Sequence, residues 1–139
     1  MSNIVVQKFG GTSVGSEERI AAVAKIIKKA SEKNSLVVVV SAMSGETNRL
    51  INLANSFGDN PSKREFDALI STGEKVSAAL LAMALHQIGV DAKSYTASQI
   101  SMRTTDSYSK AKILDVDGKK IKETLDAGIV PIITGFQGI

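Results

Sequence analysis

The chain has 139 residues, a length that suits one ordinary domain with a hydrophobic core. Hydrophobic residues make up 43% and charged residues 22%, which argues against disorder, and the absence of cysteine excludes disulfides and thiol chemistry. The net charge of +3 is small and the basic residues are scattered, so nothing indicates a nucleic-acid partner.

The N-terminal residues lack the features of a secretory signal peptide, and no uninterrupted apolar stretch reaches the roughly 18 residues of a membrane span. We therefore expect a cytoplasmic protein with no membrane partner. The single histidine, His86, cannot build a histidine metal cluster. We predict a surface or hydrogen-bonded histidine there, and no metal site formed by the protein's own residues.

The first predicted elements are a strand and a helix. Residues 4–9 are rich in β-branched side chains and end at a glycine pair, which predicts a short strand. Ser16 is a suitable helix N-cap, and Glu17 and Glu18 follow in the first turn, where the helix dipole favours acids. The helix that follows ends at the basic pair 28–29.

A second strand and several helices follow. The unbroken apolar run 35–42 is typical of a parallel strand that is buried on both faces. An amphipathic helix is predicted through 50–54, and "GDNP" at 58–61 predicts a turn. Residues 62–70 and 73–88 predict two helices, because "STGE" at their junction has the Ser-x-x-Glu pattern of a capping box.

The last third of the chain alternates in the same way. A short strand is predicted at 90–95, residues 96–112 have no clear pattern, 117–128 predict a helix with a glycine stop, and 129–139 predict a strand and a glycine-containing loop. Alternating strands and helices predict an α/β fold with a mainly parallel sheet and helices on both faces.

Ligands of parallel α/β sheets bind beyond the carboxyl ends of the strands. Three glycine-bearing segments fall there: "KFGGTSVG" at 8–15, "SAMSGETN" at 41–48 and "TGFQG" at 134–138. Their recurrence at strand ends is more informative than any one of them alone.

The first segment has the residues of an anion site. Glycines let backbone N–H groups approach an anion, hydroxyls can donate to it, and a lysine can stabilise charge during phosphoryl transfer. The lysine precedes the glycines, so the segment is not a Walker A loop, and Thr12 excludes the Gly-x-Gly-x-x-Gly pattern. An ordinary glycine-rich turn with a solvated lysine is the alternative. The candidate residues are Lys8, Gly10, Gly11, Thr12 and Ser13.

The polar residues near the other predicted loops have two interpretations each. Ser41, Ser44 and Thr47 could form a cradle for a small substrate, or Ser44 or Thr47 could cap the next helix. Glu74 could hold a substrate ammonium group, although the capping-box pattern favours a cap. For Asp106 the pattern favours a turn over a binding role.

Four segments, "VQKFGGTSVG", "VVVVSAMSGETN", "STGEKVSAALLAMAL" and "VPIITGFQG", together resemble the N-terminal part of the aspartate kinases, within the amino-acid kinase superfamily. The resemblance runs over nearly the whole chain in the family's order. It implies a three-layer α/β/α sandwich and transfer of the ATP γ-phosphoryl group to the side-chain carboxylate of L-aspartate. The product, 4-phospho-L-aspartate, leads to lysine, threonine and methionine.

The resemblance also implies roles for individual residues, with ATP and Mg²⁺ as cosubstrate and metal. Lys8 would contact and stabilise the transferring phosphoryl group. The phosphate loop would comprise Gly10, Gly11, Thr12 and Ser13. Ser41, Thr47, Glu74 and Phe136 would bind aspartate, with Glu74 facing its ammonium group.

In the family the chain continues beyond "GFQG" into a nucleotide-binding half and regulatory ACT domains. Residues 1–139 therefore resemble the aspartate-binding lobe, and we expect this chain by itself to be inactive. We also expect its last strand and a sheet edge to be exposed, and a homo-oligomer to form. The alternatives are another amino-acid kinase, a bifunctional aspartokinase–homoserine dehydrogenase, or a module that binds an anion or amino acid without catalysis.

Overall fold

The computed structural model describes residues 4–96, 99, 103–104, 113–115 and 118–135. Strands and helices alternate along most of this length, as the sequence predicts. Their bounds are β1 Ile4–Phe9, α1 Glu17–Ser31, β2 Ser35–Val40, α2 Glu46–Ala54 followed by a 3₁₀ turn Asn55–Phe57, α3 Lys63–Gln87, β3 Ala92–Tyr95, β4 Arg103–Thr104, β5 Ile113–Asp115, α4 Gly118–Asp126 and β6 Val130–Thr134.

The main sheet has four parallel strands in the order β1-β2-β6-β3, which confirms the predicted sheet type. Val40, the last residue of β2, pairs with Phe9 on one side and with Thr134 on the other. The carboxyl ends of these three strands are therefore level. β2 lies inside the sheet, which explains its unbroken apolar sequence.

Helices cover both faces of the sheet. The larger core joins one face of the sheet to α1 and α3, and its fully buried members include Ile27, Val38 and Leu81. On the opposite face, α4 packs against a smaller cluster of Val37, Tyr95 and Ile133 through Ile121 and Leu125. The chain is thus a three-layer α/β/α arrangement with unequal outer layers.

Helix α3 corrects one prediction, because it runs without a break through "STGE". The hydroxyl of Ser71 donates to the carbonyl of Ala68 at 2.9 Å, within its own helix, and so does not cap a new one. Gly73 lies in the helix interior and is buried. Local capping chemistry was outweighed here by the burial of the apolar face of a 25-residue helix against the sheet.

Helix α3 is also long and apolar enough to cross a membrane, judged by length and composition alone. One face of it is buried among α1, α2 and the sheet, with Leu81 and Leu85 fully enclosed. This environment is that of a core helix, which is the position of α3 in this fold.

The last strand corrects a second prediction. β6 lies between β2 and β3, and all five of its residues are buried, so it is not an exposed edge. The large exposed apolar side chains of the described sheet are instead on β1, where Ile4 is 63% and Val6 62% accessible. A crossover connection placed the final strand inside the sheet, and strand order is not visible in a local pattern.

Two other predicted helix ends are confirmed. The Arg19 N–H donates to the Ser16 hydroxyl at 3.2 Å, so Ser16 caps α1. Gly128 follows α4 with φ +77°, the left-handed conformation that ends a helix. Within the unassigned stretch 96–112, the described part includes β4, which pairs antiparallel with β5.

Candidate functional site

Two loops meet at the level carboxyl ends of β1 and β2. We call residues 10–15 loop 1 and residues 41–45 loop 2. The Ser41 N–H donates to the Phe9 carbonyl at 3.2 Å, and the Ser44 N–H donates to the Gly11 carbonyl at 3.0 Å. Backbone hydrogen bonds thus hold the two loops side by side, as the sequence predicts for segments at neighbouring strand ends.

Loop 1 is a compact turn whose interior is anchored in the core. Val14 is fully buried, and its N–H donates to the Gly10 carbonyl at 3.3 Å. Among the residues that the structure describes, none accepts a hydrogen bond from the backbone N–H groups of residues 10–13. Thr12 and Ser13 are exposed. The loop therefore presents unpaired donors in the way that an anion site requires.

Lys8 is the penultimate residue of β1 and its side chain is exposed. It shares a face of the strand with Ile4 and Val6, while Val5 and Phe9 pack against the α1–α3 core. The positive end of α1 is already occupied, because Ser16 caps it and Glu17 and Glu18 lie in its first turn.

Helix α2 begins immediately after loop 2, and neither predicted side-chain cap is present. Its N-cap is Gly45, at φ +84°, which makes no side-chain cap hydrogen bond, so a cap at Ser44 or Thr47 was wrong. Thr47 lies in the first turn of α2 and is exposed, and Ser41 is half-buried at the end of β2. Both hydroxyls thus remain available to a ligand beside loop 2.

An exposed ion pair also lies in the first turn of α2. Glu46 accepts from Arg49 at 2.6 Å and 3.0 Å, and this hydrogen bonding lowers the pKa of the Glu46 carboxyl. Glu46 lies beside α3 as well: a Cβ atom on Gly73 would be 3.4 Å from its Cγ atom. The pair joins two residues of the same helix, so it stabilises the first turn of α2 itself.

Glu74 is buried in the middle of α3, with 5% of its surface accessible. The preceding residue, Gly73, touches loop 2: a Cβ atom there would lie 2.9 Å from the Cβ atom of Ala42. A carboxylate is seldom buried to this extent without a functional or structural partner. The cap interpretation of Glu74 was wrong, because α3 runs unbroken through this position. The alternative, a ligand-facing carboxylate, stays a prediction.

The structure brings together loop 1, loop 2, the start of α2 and the middle of α3. Lys8 and Glu74 lie on different sides of the sheet, since Lys8 faces away from the α1–α3 core and α3 carries Glu74. The strand ends and the two loops separate them. A ligand that reached both would have to extend across the carboxyl edge of the sheet. Phe136 and Asp106 lie outside the described residues.

Two residues at this edge were not singled out from the sequence. Thr134 ends β6 with 1% of its surface accessible, and its buried hydroxyl has no hydrogen-bond partner among the described residues. The sequence feature that could have indicated Thr134 is a polar residue at the end of an apolar strand. Gly73 was interpreted as part of a helix break, although an isolated glycine in a helix can also mark a close contact.

Two other features lie away from this edge. His86 donates from Nε2 to the Ala92 carbonyl at 2.7 Å, which confirms a hydrogen-bonded structural histidine. A cavity of about 440 Å³ lies near the amino ends of β2, β3 and β6, lined among others by Ser35, Asp91 and Val130. It is at the opposite end of the strands from the loops described above.

The comparisons with known proteins agree with this geometry. The model of the amino acid kinase family matches residues 3–139. An aspartate kinase from Pseudomonas putida is 55% identical over 137 residues, covering 98% of this chain and 33% of that protein. An aspartokinase from Geobacillus stearothermophilus is 50% identical over 137 residues, covering 98% of this chain and 34% of that protein.

Solved structures show the same fold. The aspartate kinase of Synechocystis superposes with a TM-score of 0.84 at 47% identity, covering 99% of this chain and 22% of that one. Aspartokinase III of E. coli, solved with aspartate and ADP, has a TM-score of 0.83 at 23% identity and covers 98% of this chain and 41% of that one, a likeness of fold. The chain spans about a third of the length of the curated relatives it matches. It belongs to the amino acid kinase family.

Proposed function

We propose that the complete protein containing these residues is an aspartate kinase, which transfers the γ-phosphoryl group of ATP to the side-chain carboxylate of L-aspartate. The observation that carries the proposal is the joining of loop 1, with its unpaired N–H groups and Lys8, to loop 2 and the buried Glu74. The curated relatives are named aspartate kinases or aspartokinases, which supports the choice of acceptor.

The phosphate end of the site would be loop 1. The N–H groups of residues 10–13 and the hydroxyls of Thr12 and Ser13 can donate to phosphoryl oxygens. An added Cβ atom on Gly10 would meet no atom of the described residues within 4 Å, so none of them fills the space beside that backbone. Lys8 at the neighbouring strand end supplies the positive charge.

The amino-acid end would be loop 2 with α2 and α3. Ser41 and Thr47 present hydroxyl groups at the end of β2 and the start of α2. Glu74 supplies a carboxylate that can pair with the substrate ammonium group. Phe136 would complete this end, since it follows β6 in the chain by two residues.

In the reaction, an aspartate side-chain oxygen forms a bond to the γ-phosphorus while the bond from that phosphorus to the bridging oxygen breaks. The bridging oxygen leaves with its electron pair on ADP. Charge on the transferring group is stabilised by Lys8 and the loop 1 N–H groups. Mg²⁺, when bound, would neutralise phosphate charge, and it would be held chiefly by the nucleotide, because the described residues contain no group of three potential metal ligands.

The other features of the complete protein are proposals of the same kind. Residues 1–139 would form the aspartate-binding lobe, and most of the nucleotide site would be supplied by further sequence. We also propose a cytoplasmic homo-oligomer that has neither a nucleic-acid nor a membrane partner.

Replacing Lys8 with alanine in the complete protein tests the proposal. We expect kcat for aspartate-dependent ATP turnover to fall by about 10²- to 10³-fold, the usual effect of removing one transition-state donor, with a smaller change in the KM for aspartate. Lys25→Ala, which removes an exposed lysine of α1, is the matched control. A near-normal kcat in Lys8→Ala would remove Lys8 from the mechanism, and a wild-type protein without aspartate-dependent turnover would reject the function.

A further inference from the structure

Loop 2 is held between two glycines that both touch Ala42. A Cβ atom on Gly11 would lie 2.9 Å from the Ala42 carbonyl oxygen, and a Cβ atom on Gly73 would lie 2.9 Å from the Ala42 Cβ atom. Neither distance leaves room for a methyl group, because carbon atoms in contact are about 3.5–4.0 Å apart. Ala42 is 8% accessible, so it is enclosed by these contacts.

The two glycines belong to the two ends of the proposed site. Gly11 is in loop 1, and its carbonyl accepts the Ser44 N–H at 3.0 Å. Gly73 precedes Glu74 on a continuous helix, so the backbone of α3 transmits any displacement of one residue to the other. Loop 2, centred on Ala42, is therefore a spacer between the proposed phosphate loop and the proposed ammonium partner.

We propose that Ala42 and Gly73 form a positioning pair, whose contact sets the distance between Glu74 on α3 and the hydroxyls of Ser41 and Thr47. This inference rests on the proposed function, since it assigns a width to the amino-acid end of that site. The pair acts through Glu74 and loop 2, at the amino-acid end of the proposed site. Loop 1 contacts Ala42 through a different atom, the carbonyl oxygen.

A methyl group on Gly73 separates the pair. For the two Cβ atoms to reach van der Waals contact, α3 or loop 2 must shift by roughly 0.6 Å or more. Displacements of about 1 Å in a positioned site cost up to about 10²-fold in rate. Removing the methyl group of Ala42 at the same time restores the space. The double substitution therefore tests the shortest of the new contacts, and the added Cβ atom keeps its distances of 3.4 Å to Glu46 Cγ and 3.5 Å to Leu50 Cδ1.

The experiment compares wild-type complete protein with Gly73→Ala, Ala42→Gly and the double variant, and measures KM separately for aspartate and ATP. Gly73→Ala should raise the KM for aspartate about tenfold and lower kcat, with the KM for ATP within about twofold of wild type. The double variant should recover most of the loss. Gly118→Ala is the matched control, because an added Cβ atom there meets nothing within 4 Å.

Several outcomes would overturn the pair. They are an unchanged KM for aspartate in Gly73→Ala, equal increases in both KM values, and a double variant no better than Gly73→Ala. Thermal unfolding gives an independent readout. Alanine is favoured over glycine inside a helix by about 1 kcal/mol, so without the clash Gly73→Ala would raise the midpoint. We expect the midpoint to fall and the double variant to restore it.

The unfolding measurement applies even if Gly73→Ala does not fold. In that case the double variant should fold, and a double variant that also failed to fold would reject the contact. It also applies if the wild-type protein does not phosphorylate aspartate, a result that rejects the proposed function and leaves the contact to be judged by unfolding.

Discussion

The carboxylate of Glu74 is carried by the middle of a long helix, so backbone hydrogen bonds fix its position from both sides. Burial makes a carboxylate costly unless hydrogen bonds or an opposite charge compensate it. Glu74 already has an interaction within the protein, and in the proposed site a substrate ammonium group would add an opposite charge. In the proposed site this rigidity would make the carboxylate selective, because it would not follow a misplaced ligand.

Glu74→Gln preserves the shape of this side chain and removes its charge. We expect the KM for aspartate to rise by about 10- to 100-fold, since hydrogen bonds to charged groups contribute about 1.5–3 kcal/mol. The KM for ATP should change little. Glu65→Gln is the control, because Glu65 is exposed in the first turn of the same helix.

If Glu74→Gln left the KM for aspartate unchanged, the carboxylate would have a structural role only. Circular dichroism and the thermal midpoint of the variant separate that result from simple misfolding.

Helix α1 shows how one residue can determine the start of an element. Ser16 accepts the Arg19 N–H and marks the boundary between loop 1 and the helix. We expect Ser16→Ala to lower the free energy of unfolding by about 1 kcal/mol, measured by chemical denaturation. Ser16→Asn, which keeps a good N-cap, should stay close to wild type. Equal losses in both variants would show that the hydroxyl has another role.

The ion pair between Glu46 and Arg49 at the start of α2 leads to a prediction about pH. The hydrogen bond from Arg49 lowers the pKa of the Glu46 carboxyl below its ordinary value of 4.5. The stabilisation is therefore present above the pKa of the unfolded state and is lost as pH falls through the lower pKa of the folded state. Arg49→Ala should lower the thermal midpoint slightly at neutral pH, because the pair is exposed.

The difference between wild type and Arg49→Ala should vanish in acid. Arg64→Ala, at an exposed arginine of α3, provides the comparison. A difference that persisted below the folded-state pKa of Glu46 would show that the ion pair is not its cause.

At the scale of the whole molecule, the length of the chain relative to its relatives leads to a prediction about binding and catalysis. The chain spans about a third of the length of its curated relatives, and its described residues contain loop 1 and loop 2, the two ends of the proposed site. We expect the 139-residue chain alone to bind L-aspartate weakly and to show no ATP turnover. Calorimetry with L-aspartate and with ATP, together with an activity assay, would test this. Turnover by the purified chain would contradict it.

Much of the fold was predictable because it rests on local signals. The apolar run of β2, the Ser16 cap and the glycine after α4 each predict their element from a few neighbouring residues. The helix break predicted at "STGE" was wrong. The sequence shows the capping pattern, but it does not show the tertiary burial that keeps α3 continuous there. The prediction that the last strand, β6, is exposed was wrong for a related reason, since strand order depends on the crossover connections.

The sequence by itself determined the fold class, the family that the chain resembles, and the position of Lys8 and the glycine loop at a strand end. Residue type and spacing are enough to indicate these features. Only the tertiary structure decided that Glu74 is buried in an unbroken helix, and that Gly73 and Gly11 both touch Ala42. Those facts depend on how closely α3 and loop 1 approach loop 2. That approach is set by packing between elements distant in the chain, which no local pattern records.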